Sequence, residues 1–426
     1  MIKHLIFCTV ALAASAVCSA QNFEDNFEDK TLRLDYLLGG DANKQYVALD
    51  KQISTDKWAG RRHNLKELPR LGNGQITVRD AATGDTLYRN SFSTLFQEWL
   101  VTDEAKTTNR SFHASLLTPY PKREAIIDIC LLDMRHQPIA QMSHRFDPKD
   151  ILVKDRSGFK ALPHKYVHKG DDPSRAIDFA FLAEGYTEAE MDSFYRHAEM
   201  AAKEILSYEP YKSYADKINF VAVASPSRDS GVSVPKKNQW RDTAFKSNYS
   251  TFYSDRYLTS EDMEGMHDAL TNIPYEHIIV LVNSEEYGGG GIYNSYMLST
   301  AKHKFSRPVI VHEMGHSFGG LADEYFYEND VMTDSYPKDI EPWEPNITTL
   351  VNFDSKWKQL LKKGTPVPTP VAQKGKYPLG VFEGGGYSTY GVYRPADECR
   401  MRNNTYPTFC PACTDALEKL ILFYTK

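Results

Sequence analysis

Several features are scarce in this 426-residue sequence, and each scarcity narrows what the protein does. No block of consecutive basic residues is present, and 50 basic against 56 acidic side chains leave a formal charge of −6. That balance argues against nucleic acid as a partner. After the first twenty residues, no apolar run approaches the roughly 20 residues that a membrane span needs. The glycine run Gly288–Gly291 lacks the lysine, the Ser/Thr and the helix start of a phosphate cradle. Cysteine is rare as well: six in all, two of them within the first twenty residues.

Those first twenty residues carry Lys3, an apolar core from Leu5 to Val17, and Cys18-Ser19-Ala20 before Gln21. They are expected to be a signal peptide, 1–20, giving a secreted, periplasmic or cell-surface protein. Its cleavage removes Lys3 and takes the formal charge from −6 to −7. Of the remaining cysteines, Cys130 sits in the apolar run Ile126 to Leu132 and is expected to be a buried free thiol. Cys399 is expected to bridge to Cys410 or Cys413, as an oxidising compartment favours. The competing arrangement, a second metal site built from Cys399 and Cys410-Pro-Ala-Cys413, lacks a visible fourth ligand.

Residues 21–150 read as an all-β region. Short runs such as Leu32 to Leu38, Gln75 to Arg79 and Thr86 to Arg89, with a hairpin at Asp80 to Gly84, predict a small sandwich without catalytic motifs. Residues 151–174, polar and broken by Gly158, Pro163, Gly170 and Pro173, read as a linker. From 175 to 426, strands at 176–183, 218–224 and 277–283 alternate with helices, which predicts an α/β domain. Thr187 and Glu190 form a capping box for the first helix. The stretch 326–395 shows too little periodicity for regular structure, and a final helix is expected from Pro411 to Tyr424.

The chemistry centres on His312-Glu313-Met-Gly-His316, preceded by apolar Val309-Ile310-Val311 and followed by Gly319-Gly320 and Asp323-Glu324. Residues on a helix are about 100° apart, so His312 and His316 lie roughly 40° apart on one face. Two imidazoles so placed supply two of the four tetrahedral positions of zinc. Glu313 is displaced to the side, where its carboxylate can take a proton from a water that the metal activates. A buried helix with two hydrogen-bonded histidines is the bland alternative. The glycine break and the two following carboxylates favour the metal. The glycines at 288–291 permit close approach of another backbone, as a peptide substrate on a sheet edge requires.

The stretch His312 to Tyr325, with Glu184-Gly185-Tyr186-Thr187, Ser230-Gly231-Val232, Tyr287 to Gly291 and Cys399-Arg400-Met401, resembles the IgA peptidase family of zinc metallopeptidases, a metzincin-like group. The likeness spans about residues 175–426. The N-terminal region resembles the β-sandwich domain that precedes the catalytic domain in some members. The resemblance implies a metzincin-like α/β or α+β catalytic domain, with Met401 beneath the metal. The usual third histidine would fall at 322, which is Ala322. The family pattern points instead to Asp323, with Glu324 as competitor or as an outer acceptor for a histidine ring nitrogen. Asn403 stands where some metzincins keep a tyrosine, leaving Tyr325 and Tyr406 as substitutes. The implied protein is an exported endopeptidase with one catalytic Zn2+ on His312, His316 and Asp323 and Glu313 as base. Its substrates would be proteins or peptides, host glycoproteins among them. The alternative is a surface glycoprotein- or glycan-binding protein that keeps a structural zinc; an open coordination position favours the enzyme.

Overall fold

The computed structural model describes residues 22–172, 175–326 and 336–426; the expected signal peptide lies outside them. The N-terminal part opens with α1 (Phe23–Asn26), β1 (Phe27–Gly40), β2 (Gln45–Asp56), β3 (Gly74–Asp80) and β4 (Thr86–Phe92). It continues with α2 (Leu95–Trp99), β5 (Arg110–Pro121), β6 (Ala125–Leu132), β7 (Pro138–Phe146) and β8 (Lys154–Asp155). Two four-stranded sheets result, ordered β5-β1-β2-β8 and β4-β3-β6-β7. Strict alternation decides which faces meet. In β3, Ile76 and Val78 are buried while their neighbours are only partly so, and β6 repeats the pattern with Ile127, Ile129 and Leu131. Contacts between the sheets include the edge-on pair Tyr120–Phe146 and the hydrogen bond between Tyr36 Oη and the His144 ring, 2.8 Å. This pairing of sheets is compatible with a β-sandwich.

The second part contains β9 (His164–His168), β10 (Ile177–Glu184), α3 (Met191–Ile205), β11 (Ile218–Val223), α4 (Met263–Ala269) and β12 (His277–Val282). After these come β13 (Gly289–Ile292), β14 (Tyr296–Thr300), α5 (Ser306–Ser317), β15 (Phe382–Gly385), β16 (Ser388–Arg394) and α6 (Pro411–Thr425). One six-stranded sheet, β13-β14-β12-β10-β11-β9, is parallel at its centre and antiparallel at both edges. Its central strands are buried on both faces, hence their unbroken apolar runs. Phe179, Phe181, Phe220, Ile279 and Leu281 share a core with α3, α5 and α6. Ala180, Leu182, Val221, Ile278 and Val280 belong to the other core, which is continuous with that of the N-terminal sheets. The two parts therefore share packed interior.

Some expectations are corrected here. Residues 151–174 hold structure on both sides: β8 pairs with β2, and β9 pairs with β11. The described part of 326–395 contains the hairpin β15–β16, turned at Gly386 and Tyr387 with positive φ. Its strands are four and seven residues long, too short for a periodic signal. The Thr187–Glu190 box is present, but it starts a 3-10 turn that leads into α3. Cys130 is a free thiol but only partly buried.

Candidate metal centre

Helix α5 runs beneath the sheet edge with Val309, Ile310, Val311 and Met314 buried, the last three of them in the core shared with α3 and α6. It stops because Gly320 takes φ +58°, its N–H reaching the His316 carbonyl at 2.9 Å. The reversed chain brings Asp323 back over the helix. His312 Nε2 and His316 Nε2 lie 3.0 Å apart, and Asp323 Oδ1 is 3.1 Å from the first and 3.3 Å from the second. Tetrahedral ligands about 2.0–2.1 Å from a zinc ion stand roughly 3.3 Å from one another. All three side chains are mostly or wholly buried.

The outer contacts fix which atoms face inward. The Nδ1 of His312 lies 3.0 Å from the Arg400 carbonyl and that of His316 2.6 Å from the Leu321 carbonyl. A carbonyl only accepts, so each Nδ1 carries a hydrogen and each Nε2 faces inward. Two inward Nε2 atoms and a carboxylate oxygen at this spacing suit a bound cation, and the residues fit a metal. Burial alone would raise the Asp323 carboxyl, yet the two imidazoles hold it well below the usual range. Asp323 in turn raises His316 to about 9 against the opposing effect of burial. The expected role of Glu324 as acceptor for a histidine is corrected: backbone carbonyls do that work, and Glu324 points elsewhere.

Glu313 lies beside this triad, and burial raises its carboxyl above the ordinary value. A Cβ at Gly289 would come within 2.5 Å of Glu313 Oε1, and one at Gly291 within 2.7 Å of the Glu313 carbonyl. The glycine run thus lets the edge strand β13 lie against α5. Its outer edge is partly taken, since Leu258 N–H bonds the Gly289 carbonyl at 3.2 Å. The close backbone approach is therefore met within the chain itself. Met401, fully buried, lies against Gly315 on the other side of the helix.

His312, Glu313, His316 and Asp323 open onto a cavity of about 1120 Å³. Some residues lining it carry no sequence signal. Tyr387 donates a short hydrogen bond to Asp323 Oδ2, and its hydroxyl lies 3.3 Å from that of Tyr325, to which Arg256 donates at 3.1 Å. Tyr325 lines the cavity, whereas Tyr406 is absent from its wall. Glu98, from α2 of the N-terminal part, also faces the cavity, takes a hydrogen bond from Tyr257 and is raised to about 7 by burial. The region expected to lack chemistry thus supplies a wall of the site.

The three C-terminal thiols form no bridge. Cys399 Sγ and Cys413 Sγ are 3.8 Å apart, against about 2.05 Å for a disulfide. They converge on Glu324, the fourth donor that the spacing of the cysteines does not disclose.

A model of the family described as IgA Peptidase M64 matches residues 166–378. The chain belongs to that family. A second model, the Peptidase M64 N-terminus, matches residues 22–143. No curated protein matches the chain. As an M64 peptidase it is a metallopeptidase, a hydrolase acting on peptide bonds. The matched span includes the histidines and Asp323 and ends before Cys399.

Proposed function

We propose that this M64 peptidase is an exported, metzincin-like zinc endopeptidase in which His312, His316 and Asp323 hold the metal and Glu313 is the general base. The observation that carries this reading is the convergence of two Nε2 atoms and one carboxylate oxygen, within 3.0 to 3.3 Å, on the wall of a large cavity. Three ligands facing open space suit a catalytic centre; a structural zinc would have a fourth protein ligand. This favours the enzyme over a binding protein with a structural ion.

When bound, zinc supplies Lewis acidity toward the scissile carbonyl and the attacking water. Glu313 accepts a proton from that water and returns it to the leaving amine. Burial raises its carboxyl, which brings its proton affinity closer to what both transfers need. Tyr387 orients Asp323, and the carbonyls of Arg400 and Leu321 orient the imidazoles. Arg256 and Tyr325 stand at the cavity wall where the oxyanion of an attacked peptide bond could be met. Support for export comes from the apolar N-terminal leader with its small-residue cleavage site.

The test is to incubate the zinc-loaded protein with a proteome-derived peptide mixture and sequence the new termini. Glu313→Gln should keep its zinc and lose at least about 100-fold in cleavage. Near-wild-type cleavage by that variant would reject Glu313 as the base.

A further inference from the structure

We infer that Glu324, Cys399, Cys410 and Cys413 form a second, structural zinc site behind the catalytic one. One ligand atom from each lies within 4.8 Å of all the others. Glu324, Cys399 and Cys413 have no exposed surface, and Cys410 is 3 % exposed. In a tetrahedral site with Zn–S bonds of about 2.3 Å, two sulfurs stand roughly 3.8 Å apart. Cys399 and Cys413 are separated by 3.8 Å. Glu324 Oε1 lies 3.0 Å from Cys413 Sγ and 4.0 Å from Cys410 Sγ, bracketing the roughly 3.5 Å expected between oxygen and sulfur ligands.

A second observation comes from the carboxylate. Asn346 donates to Glu324 Oε1 at 3.1 Å, but Oε2 is buried without any hydrogen bond. Burying a carboxylate with one oxygen unsatisfied is costly, and thiols are weak donors to repair it. A metal ion bound at Oε1, the oxygen that faces the sulfurs, would offset the buried carboxylate charge. The Cys410 N–H points at Cys399 Sγ at 3.2 Å, and Cys410 occupies the N-cap position of α6; both favour thiolate against the opposing effect of burial. Each thiol that ligates releases its proton to solvent. Three thiolates and a carboxylate around a divalent ion leave excess negative charge, which the buried Arg394 guanidinium helps to balance. Sulfur-rich, closed and four-coordinate is the donor set of structural zinc. Three cysteines also cannot all pair as disulfides.

The site would join three segments that shape the catalytic centre. Glu324 follows Asp323, and its N–H bonds the Met401 carbonyl at 2.9 Å. Cys399 precedes Arg400, whose carbonyl orients His312. Cys410 and Cys413 begin α6. A single ion would thus staple the ligand-bearing turn, the Met401 segment and the last helix.

The inference rests on residues outside the histidine site, and its test separates the two. The full chain, purified from its exported form without reductant or chelator, should carry two zinc ions. His312→Ala/His316→Ala should retain one, with an X-ray absorption spectrum dominated by sulfur at about 2.3 Å. Cys410→Ser/Cys413→Ser should retain the other with only nitrogen and oxygen neighbours, bound about 10–100-fold more weakly because its outer support is loosened. If that variant does not fold, the histidine variant alone decides. A histidine variant without metal and with all four thiols titratable, Cys130 included, or a cystine among Cys399, Cys410 and Cys413 in the non-reduced wild type, would overturn the site. Two bound zinc ions without peptide cleavage would count against the catalytic reading alone.

Discussion

Asp323 and Glu324 are consecutive residues that face opposite ways: Asp323 Oδ1 lies 3.1 Å from His312 Nε2, and Glu324 Oε1 lies 3.0 Å from Cys413 Sγ. One peptide unit therefore joins two buried donor clusters. Asp323→Ala is expected to release the metal of the histidine site while leaving a sulfur-bound zinc in place. Glu324→Ala should do the reverse, loosening the sulfur site and lowering peptidase activity only in part. Metal content measured together with X-ray absorption on both variants checks the assignment. If Asp323→Ala kept an ion with nitrogen ligands, the third ligand would have to lie elsewhere.

Tyr387 donates to Asp323 Oδ2, the oxygen not shared with the histidines. Tyr387→Phe keeps the ring and removes only the hydroxyl. The expected loss in metal affinity is about 10-fold or more, typical of an outer-shell partner. Because the hydroxyl orients a ligand, excess zinc should restore much of the activity. Zinc titration of activity separates this from a direct catalytic role, in which kcat would stay low at saturating metal.

Much of the centre was legible because it is local. His312, Glu313 and His316 sit within five residues on one helix, and their spacing alone places two imidazoles together. The strands β10, β11 and β12 announce themselves by unbroken apolar runs, as sheets covered on both faces do. Contacts made across long loops left no such trace. Tyr387 meets Asp323 from 64 residues away, Tyr257 meets Glu98 from 159, and Cys413 meets Glu324 from 89. Asp323 was readable through family likeness, since spacing alone left it level with Glu324. The disulfide expectation failed for the same reason: Glu324 was visible, but nothing in the sequence placed it among the thiols.

Asp178 in β10 offers a pH signature that involves none of the candidate metal ligands. It is 5 % exposed, accepts a hydrogen bond from Asn219 Nδ2 at 2.8 Å and lies near the carboxyl of Glu276. Burial, outweighing that hydrogen bond, pushes its carboxyl from 3.8 up to about 7. The folded state then binds more protons than the unfolded state between these values, so stability falls as pH rises through the window. Below the unfolded value there is no penalty, and above about 7 it is complete. Asp178→Asn puts a neutral amide there, whose oxygen can still accept from Asn219. The substitution should therefore remove the penalty, on the order of a few kcal/mol at neutral pH. Urea midpoints of the two proteins should converge near about pH 4 and separate by about pH 8. Equal midpoints throughout would show that the carboxyl is not held neutral.

The N-terminal part is expected to be required for the peptidase fold itself. Arg70 donates to the Gly319 carbonyl at the end of α5, 3.2 Å, and to the Ala416 carbonyl in α6, 2.7 Å. Arg61 lies over the Phe423 ring at 5.2 Å, and Ser93 N–H bonds the Tyr293 carbonyl just beyond β13 at 2.8 Å. Elsewhere along the junction Arg33 pairs with both Asp35 and Asp268. Phe112 and Leu116 belong to the same apolar core as Val280 and Met266. Removing the N-terminal sheets would expose that shared core and leave the two carbonyls without their arginine. At about 25 cal/mol per Å² of apolar surface, losses of this kind readily exceed the roughly 5–15 kcal/mol that holds a typical domain folded. A fragment of residues 160–426, which keeps β9, should therefore be aggregated or lack a cooperative thermal transition. Co-expression with residues 22–159 should restore solubility and metal binding if the interface is what was lost. A soluble, cooperatively melting 160–426 fragment that binds metal as the full chain does would show instead that the peptidase part folds independently.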